Sequence, residues 1–170
     1  MITQNKLKEL LNYDPNTGLF IWKVSIGSRA KKGTIAGSVG TNGYLRIGID
    51  GRDYRSNRLA WFYIYGVWPS FHIDHIDHDI KNNKIANLRD ISNQQNIQNQ
   101  ILAHKNNKTT GLLGTHYDKR KCKYIAKIRI NKIRIHLGSF DTAELAHKAY
   151  LKAKIKLHPT FAMADTWVGE

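Results

Sequence analysis

Between Lys123 and Leu137 most apolar residues fall at every second position within two runs. Tyr124, Ala126, Ile128 and Ile130 alternate with Lys123, Ile125, Lys127 and Arg129, and Ile133, Ile135 and Leu137 alternate with Lys132, Arg134 and His136. A period of two belongs to a β-strand, whose successive side chains point to opposite faces. Two such strands paired as a hairpin bury one face and present Lys127, Arg129, Lys132, Arg134 and His136 on the other. Asp141-Thr142-Ala143-Glu144 then has the spacing of a helix capping box. Beyond it, Ala146, Ala149, Tyr150 and Ala153 make a narrow apolar stripe on a helix running to about Leu157. Small alanines let that helix lie close to the sheet, so residues 112–158 are expected to form a small three-stranded antiparallel sheet packed on one helix.

The rest of the chain reads as short elements separated by turns. Thr3 to Leu11 has a cap residue and Leu7, Leu10 and Leu11 on one face, which predicts a helix. Asp14-Pro15-Asn16-Thr17-Gly18 forces a turn ahead of a strand at Leu19 to Trp22. Arg29 to Gly43 reads as loop or irregular sheet edge. Tyr44 to Ile49, Asp50-Gly51, and Arg52 to Arg55 form a hairpin signal, because Asp-Gly suits the positive φ angles of a type I′ turn. Asn57 to Tyr65 is a helix stopped by Gly66, with Trp61, Phe62 and Tyr65 expected in the core. The polar, aperiodic stretch around 105–111 is expected to be a linker. The predicted class is α+β, with domains at 1–104 and 112–158 and a C-terminal tail at 159–170.

Charge points to a polyanionic partner. The net charge is +14 on 170 residues, an excess most often met by nucleic acid. Residues 1–104 carry 13 basic and 8 acidic side chains, net +5, and residues 105–170 carry 14 and 5, net +9. Cys122 is the single cysteine, which excludes an intramolecular disulfide and a Cys-x-x-Cys zinc ribbon and fits a reducing compartment. The most apolar run, Leu59 to Trp68, is too short to span a bilayer. A cytoplasmic protein with no membrane partner is expected.

His72-Ile73-Asp74-His75-Ile76-Asp77-His78-Asp79 packs three histidines and three aspartates into eight residues. A polar loop follows, then a short strand at Leu88-Arg89-Asp90-Ile91, then a helix opened by the capping box Ser92 to Gln95, on which Asn96 and Asn99 share a face. Hydrolysing a phosphodiester requires an activated water and a counter-charge for the phosphate oxygens. Histidine supplies a base that titrates near neutral pH, and a hard divalent ion on carboxylate and amide oxygens supplies the charge. Asp74, His75 and Asn96 are the residue types required. Asp77 reads as a loop residue or a substitute ligand, and His72 and His78 as surface or DNA-facing.

Asp74-His75, Asn82-Asn83, Asn87-Leu88-Arg89 and Asn96…Asn99 resemble the H-N-H nuclease motif of the ββα-metal fold, closest to the phage and intron-encoded homing endonucleases. The resemblance implies that residues 73–104 carry the motif. His75 would be the general base, Asp74 and Asn96 ligands of Mg²⁺ or Mn²⁺, and Asn87 the middle Asn that bridges the loop and orients His75. It implies a DNA endonuclease encoded by a phage or mobile element in a bacterial host. Tyr44-Leu45-Arg46, Asp50-Gly51-Arg52 and Asn57-Arg58-Leu59-Ala60-Trp61 resemble the segment that precedes the motif in such proteins, although Asn57 stands where relatives often have His. Arg46, Arg52 and Arg58 are candidate DNA contacts there, or merely hairpin-face charges.

Gly114, Tyr124-Ile125-Ala126-Lys127-Ile128-Arg129 and His136-Leu137-Gly138-Ser139-Phe140-Asp141-Thr142-Ala143-Glu144 resemble the DNA-binding domain of plant APETALA and ethylene-response factors. Tyr124 and His136 stand where that family has tryptophans, so its target sequence does not carry over. A two-stranded ribbon fits the major groove, which makes Lys127, Arg129, Lys132, Arg134 and His136 candidate contacts to double-stranded DNA. One active site per chain breaks one strand, and no self-association surface stands out, so a monomeric nickase is expected. The alternative is a non-enzymatic DNA-binding regulator, in which only the C-terminal sheet works.

Overall fold

Thr3 caps the first helix by accepting the Lys6 N–H on its hydroxyl, and α1 (Gln4–Leu10) runs straight into β1 (Leu11–Asp14). Asp14 closes the next turn by accepting from Asn16 N–H and Thr17 Oγ1, both at 2.9 Å. The chain returns antiparallel as β2 (Leu19–Trp22), with Leu11 opposite Trp22 and Asp14 opposite Leu19. This computed structural model describes residues 1–103 and 106–158, so the expected tail at 159–170 and the junction at His104 and Lys105 lie outside the described residues.

A second sheet has the order β3 (Ser38–Val39), β4 (Leu45–Ile49), β5 (Arg52–Arg55). Its hairpin turns through Asp50 and Gly51, both at positive φ, as an Asp-Gly pair favours. It leads into α2 (Ser56–Tyr65), which Gly66 ends at φ 72°. Leu7, Leu11, Phe20, Trp22, Ile47, Ile49, Leu59 and Phe62 form the core between these elements, and Trp61 packs partly buried against it. Tyr65 is exposed rather than core, because at the last position of α2 it points past the packed face.

A third hairpin pairs β6 (His72–His75) with β7 (Leu88–Ile91), and a 3-10 turn at Ile85–Asn87 precedes β7. Ile73 and Leu88, one from each strand, join the same core, so this small hairpin is seated by apolar burial and not by its two strands alone. The helix α3 (Asn93–Asn99) follows.

The remaining elements are β8 (Thr115–Asp118), β9 (Lys123–Ile130), β10 (Ile133–Phe140) and α4 (Ala143–Leu157), with the sheet order β10-β9-β8. Thr142 caps α4 by accepting from Leu145 N–H. Ala126, Ile128, Ala146 and Tyr150 are buried between sheet and helix. Gly114 makes that packing possible: its φ is +77°, and a Cβ there would stand 2.0 Å from the Tyr150 ring. The fold is therefore α+β, with small antiparallel sheets and a three-stranded sheet packed on one helix.

The chain divides between Asn93 and Gln94 into two units, so the break falls inside α3 and the expected linker lies within the second unit. Two anchors account for this. The buried Lys154 of α4 donates to Gln100 O, just past α3. Asn107 donates to Leu112 O and Thr115 O at 2.8 and 3.2 Å, tying 106–111 to the start of β8.

Gly114→Ala should cost about 2–4 kcal/mol, from overpacking against Tyr150 plus positive-φ strain, read as a lower midpoint in urea unfolding. Burial pushes the Lys154 amine down to about 8. Between that pH and about 10 the unfolded chain binds the proton that the folded chain has released, so stability should rise with pH across this window. Thermal unfolding of Lys154→Met should lack that rise.

Candidate functional site

His75 ends β6 and is 3% exposed. Its Nε2 lies 3.1 Å from Asn83 Oδ1, and its ring centre is 6.1 Å from that of Tyr44. Arg55 in turn lies over the Tyr44 ring at 4.6 Å. Strand pairing sets Asp74 opposite Arg89. Arg89 Nε donates to Asp74 Oδ2 at 2.9 Å, and Nη2 lies 2.8 Å from the same oxygen, within ion-pairing range. The candidate base and the candidate carboxylate ligand are thus neighbours on one strand, whose alternation sends them to opposite faces.

The loop between β6 and β7 closes on Asp77. Asn87 Nδ2 and the Asp79 N–H donate to its Oδ1 at 2.8 and 2.9 Å, and Asn82 Nδ2 donates to its Oδ2 at 2.6 Å. Asn87 also accepts the Asp77 N–H at 3.0 Å and donates to Asn82 O at 2.9 Å. Partial burial raises the Asp77 carboxyl, but the donors from Asn82, Asn87 and Asp79 together with nearby His75 outweigh it and hold the group below the usual carboxylate range. Asp77 therefore acts as the loop's keystone, and both of its oxygens are engaged by donors of its own loop, which speaks against the substitute-ligand reading. Asn87 bridges the loop through Asp77. The side chain that reaches His75 is Asn83, which is among the residues of the H-N-H resemblance but is given no role of its own by the sequence.

The fit of a divalent ion rests on donor chemistry. Asp74 and Asn96 offer hard oxygen atoms, the kind Mg²⁺ or Mn²⁺ prefers. An ionised carboxylate has about four lone-pair sites, so the Arg89 ion pair leaves Asp74 acceptor capacity. Asn96 lies on α3, half-buried, in the second unit. No cluster of three or more His, Cys, Asp or Glu side chains suited to a metal occurs among the described residues.

The candidate DNA contacts divide into two groups. On the first sheet, Arg52 is exposed and Arg46 is half-buried, 3.9 Å from Asp53. Arg58 differs from the expectation: its guanidinium donates to Phe71 O at 3.0 Å and Pro69 O at 3.4 Å. Together with Asp90, which accepts the Ser70 and Phe71 N–H groups, it clamps the entry to β6. On the second sheet, Arg134 pairs across from Arg129 and His136 from Lys127, all four exposed on one face. Lys132 is not on that face, because Asn131 and Lys132, both at positive φ, form the two-residue hairpin turn. His116 of β8 joins the group, lining a depression of about 370 Å³ with Lys127, Ile128, Arg129 and Arg134. Burial, then Lys127 and His136, push the His116 imidazole down despite Asp118.

Residues 54–98 match the family model described as HNH endonuclease. The match runs from β5 to α3, about a quarter of the chain. No curated protein matches the chain. A solved structure described as DNA binding and cleavage by the HNH homing endonuclease I-HmuI is similar at 24% identity and a TM-score of 0.41, covering 53% of this chain and about half, 51%, of that one. No helix among the described residues is long and apolar enough to cross a membrane.

Asn87→Ala removes three hydrogen bonds around Asp77, a loss of about 2–4 kcal/mol at roughly 1 kcal/mol each. Native-state hydrogen exchange should show the Asp77 amide losing its protection while amides of β1 and β2 keep theirs.

Proposed function

We propose that the chain is a metal-dependent DNA endonuclease of the HNH type that nicks one strand. The observation that carries this reading is the placement of His75: a buried imidazole, held at one nitrogen by Asn83 and next in sequence to the Arg89-paired Asp74, within the segment that matches the HNH model. A general base must be held in one orientation toward the water it deprotonates, which the Asn83 contact favours.

In this reading His75 takes the proton of the water that attacks phosphorus. Asp74 and Asn96 hold the divalent ion, which when bound supplies positive charge for the phosphate oxygens. Arg89 orients Asp74, and Asn87 keeps the loop closed through Asp77. Residues 1–104 act as the catalytic part and residues 112–158 as the DNA reader. Lys127, Arg129, Arg134 and His136 face the duplex, Lys132 reaches phosphate from the hairpin tip, and Arg46 and Arg52 add contacts from the first sheet. Arg58 serves by holding the entry to β6. A single catalytic centre per chain leaves one strand intact, which suits a monomer.

Incubation with supercoiled plasmid and Mg²⁺ should yield nicked circles. His75→Ala should slow this by about 10²–10⁴-fold with little change in DNA affinity. Wild-type cleavage that survives excess EDTA would contradict the metal assignment. Replacing Arg129 and Arg134 by Ala should weaken binding and flatten its salt dependence, by nearly one unit of log–log slope for each phosphate no longer neutralised. If the plasmid stays intact while duplex DNA is bound, the chain is a DNA-binding regulator instead.

A further inference from the structure

We propose that Asn83 is a positioning residue for His75: it sets the imidazole proton on Nε2, leaves the lone pair on Nδ1, and is itself held by the N-terminal hairpin β1–β2. This rests on the reading of His75 as the base. The Asn83 side chain is 2% exposed, and its Nδ2 donates to Lys81 O at 3.3 Å. That hydrogen bond decides which way the amide points. Turned over, Oδ1 would face the Lys81 carbonyl oxygen, and two acceptors would meet with no proton between them. With the amide so oriented, Oδ1 is the atom 3.1 Å from His75 Nε2. An amide oxygen only accepts, so Nε2 must donate. In a neutral imidazole the other nitrogen then holds the lone pair, and Nδ1 is the atom that can take a proton from water.

Asn83 is fixed from 70 residues away in sequence. The Tyr13 hydroxyl donates to Asn83 O at 2.6 Å, and burial pushes the Tyr13 phenol up, which keeps that proton in place. The Tyr13 ring is wedged between Phe20 and Tyr63, with ring centres 4.8 and 5.7 Å away. At the hairpin turn, Gly18 has φ +74°, and a Cβ there would stand 2.5 Å from both Asn83 C and Lys84 N. The hairpin therefore presses on the peptide whose side chain meets His75, which gives an N-terminal element outside the matched segment a role in the site.

The first test is NMR of the full-length chain with ¹⁵N-labelled histidine. His75 should show a proton on Nε2 with a resolved, exchange-protected resonance. That resonance should vanish in Asn83→Ala, which removes the acceptor. A proton on Nδ1 with a bare Nε2 in the wild type would overturn the proposal. In single-turnover plasmid nicking, Asn83→Ala should fall about 10²-fold with DNA affinity within about twofold, and Tyr13→Phe should lose about tenfold. Asn83→Ala cutting at the wild-type rate would also overturn it. The NMR result reads the ring directly, so it decides the proton's position even if the wild-type chain cuts no DNA, an outcome that would remove only the nuclease reading.

Discussion

Both carboxylate oxygens of Asp77 are engaged by donors from its own loop, and the Asp77 N–H closes back onto Asn87. The excursion from Ile76 to Asn87, between two short strands, carries a large ordering cost and little apolar surface to offset it. The charge-assisted hydrogen bonds on Asp77, stronger than neutral ones, do that instead. With this knot in place, Asn83 is delivered to His75 on one side and Leu88 enters the core on the other. The strand pairing that sets Arg89 opposite Asp74 follows from the same closure. Such a set of hydrogen bonds favours a single loop arrangement, as the role proposed for His75 requires.

The first unit supplies the support. Ile73 and Leu88 root the hairpin in a core made by α1, β1, β2, β4 and α2, while Arg58 and Asp90 fix the segment that enters β6. Tyr13 and Gly18 reach the loop from the chain's beginning. The second unit is organised differently. Ala126 and Ile128 are buried under α4 while Ile133 and Ile135 near the hairpin tip stay exposed, and the other side gathers Lys127, Arg129, Arg134, His136 and His116. Like charges directly opposite each other on a hairpin are destabilising. The Arg129–Arg134 pair is such a liability in the free protein, and a polyanion laid across the sheet would relieve it.

Much of this is legible in the sequence where local chemistry decides. Asp50-Gly51 announces its turn, Gly66 its helix end, and the period of two from Lys123 to Leu137 announces both the hairpin and its basic side. The Asp74-His75 pair with Asn87 stands out through the density of histidines and aspartates from His72 to Asp79 and the asparagines that follow. What the sequence does not disclose depends on tertiary contact. Asn131-Lys132 lacks the glycine that marks a type I′ turn, so Lys132 reads as a strand residue. Arg58 looks like a free cation because its carbonyl partners are 11 and 13 residues away. The break at α3 leaves no local mark, since its cause, Lys154 reaching Gln100, spans 54 residues. Asn83 is hidden for a similar reason: its importance lies in what its amide touches.

On the proposed reading the closed loop serves a His75 imidazole that activates water for DNA hydrolysis, and chemical rescue probes that role at the ring itself. His75→Gly leaves a ring-sized gap lined by Asn83. Free imidazole should restore plasmid nicking in a saturable, Mg²⁺-dependent way, with N-methylation of the added imidazole weakening the rescue. Undiminished nicking by His75→Gly without imidazole would contradict the assignment of His75 as the base.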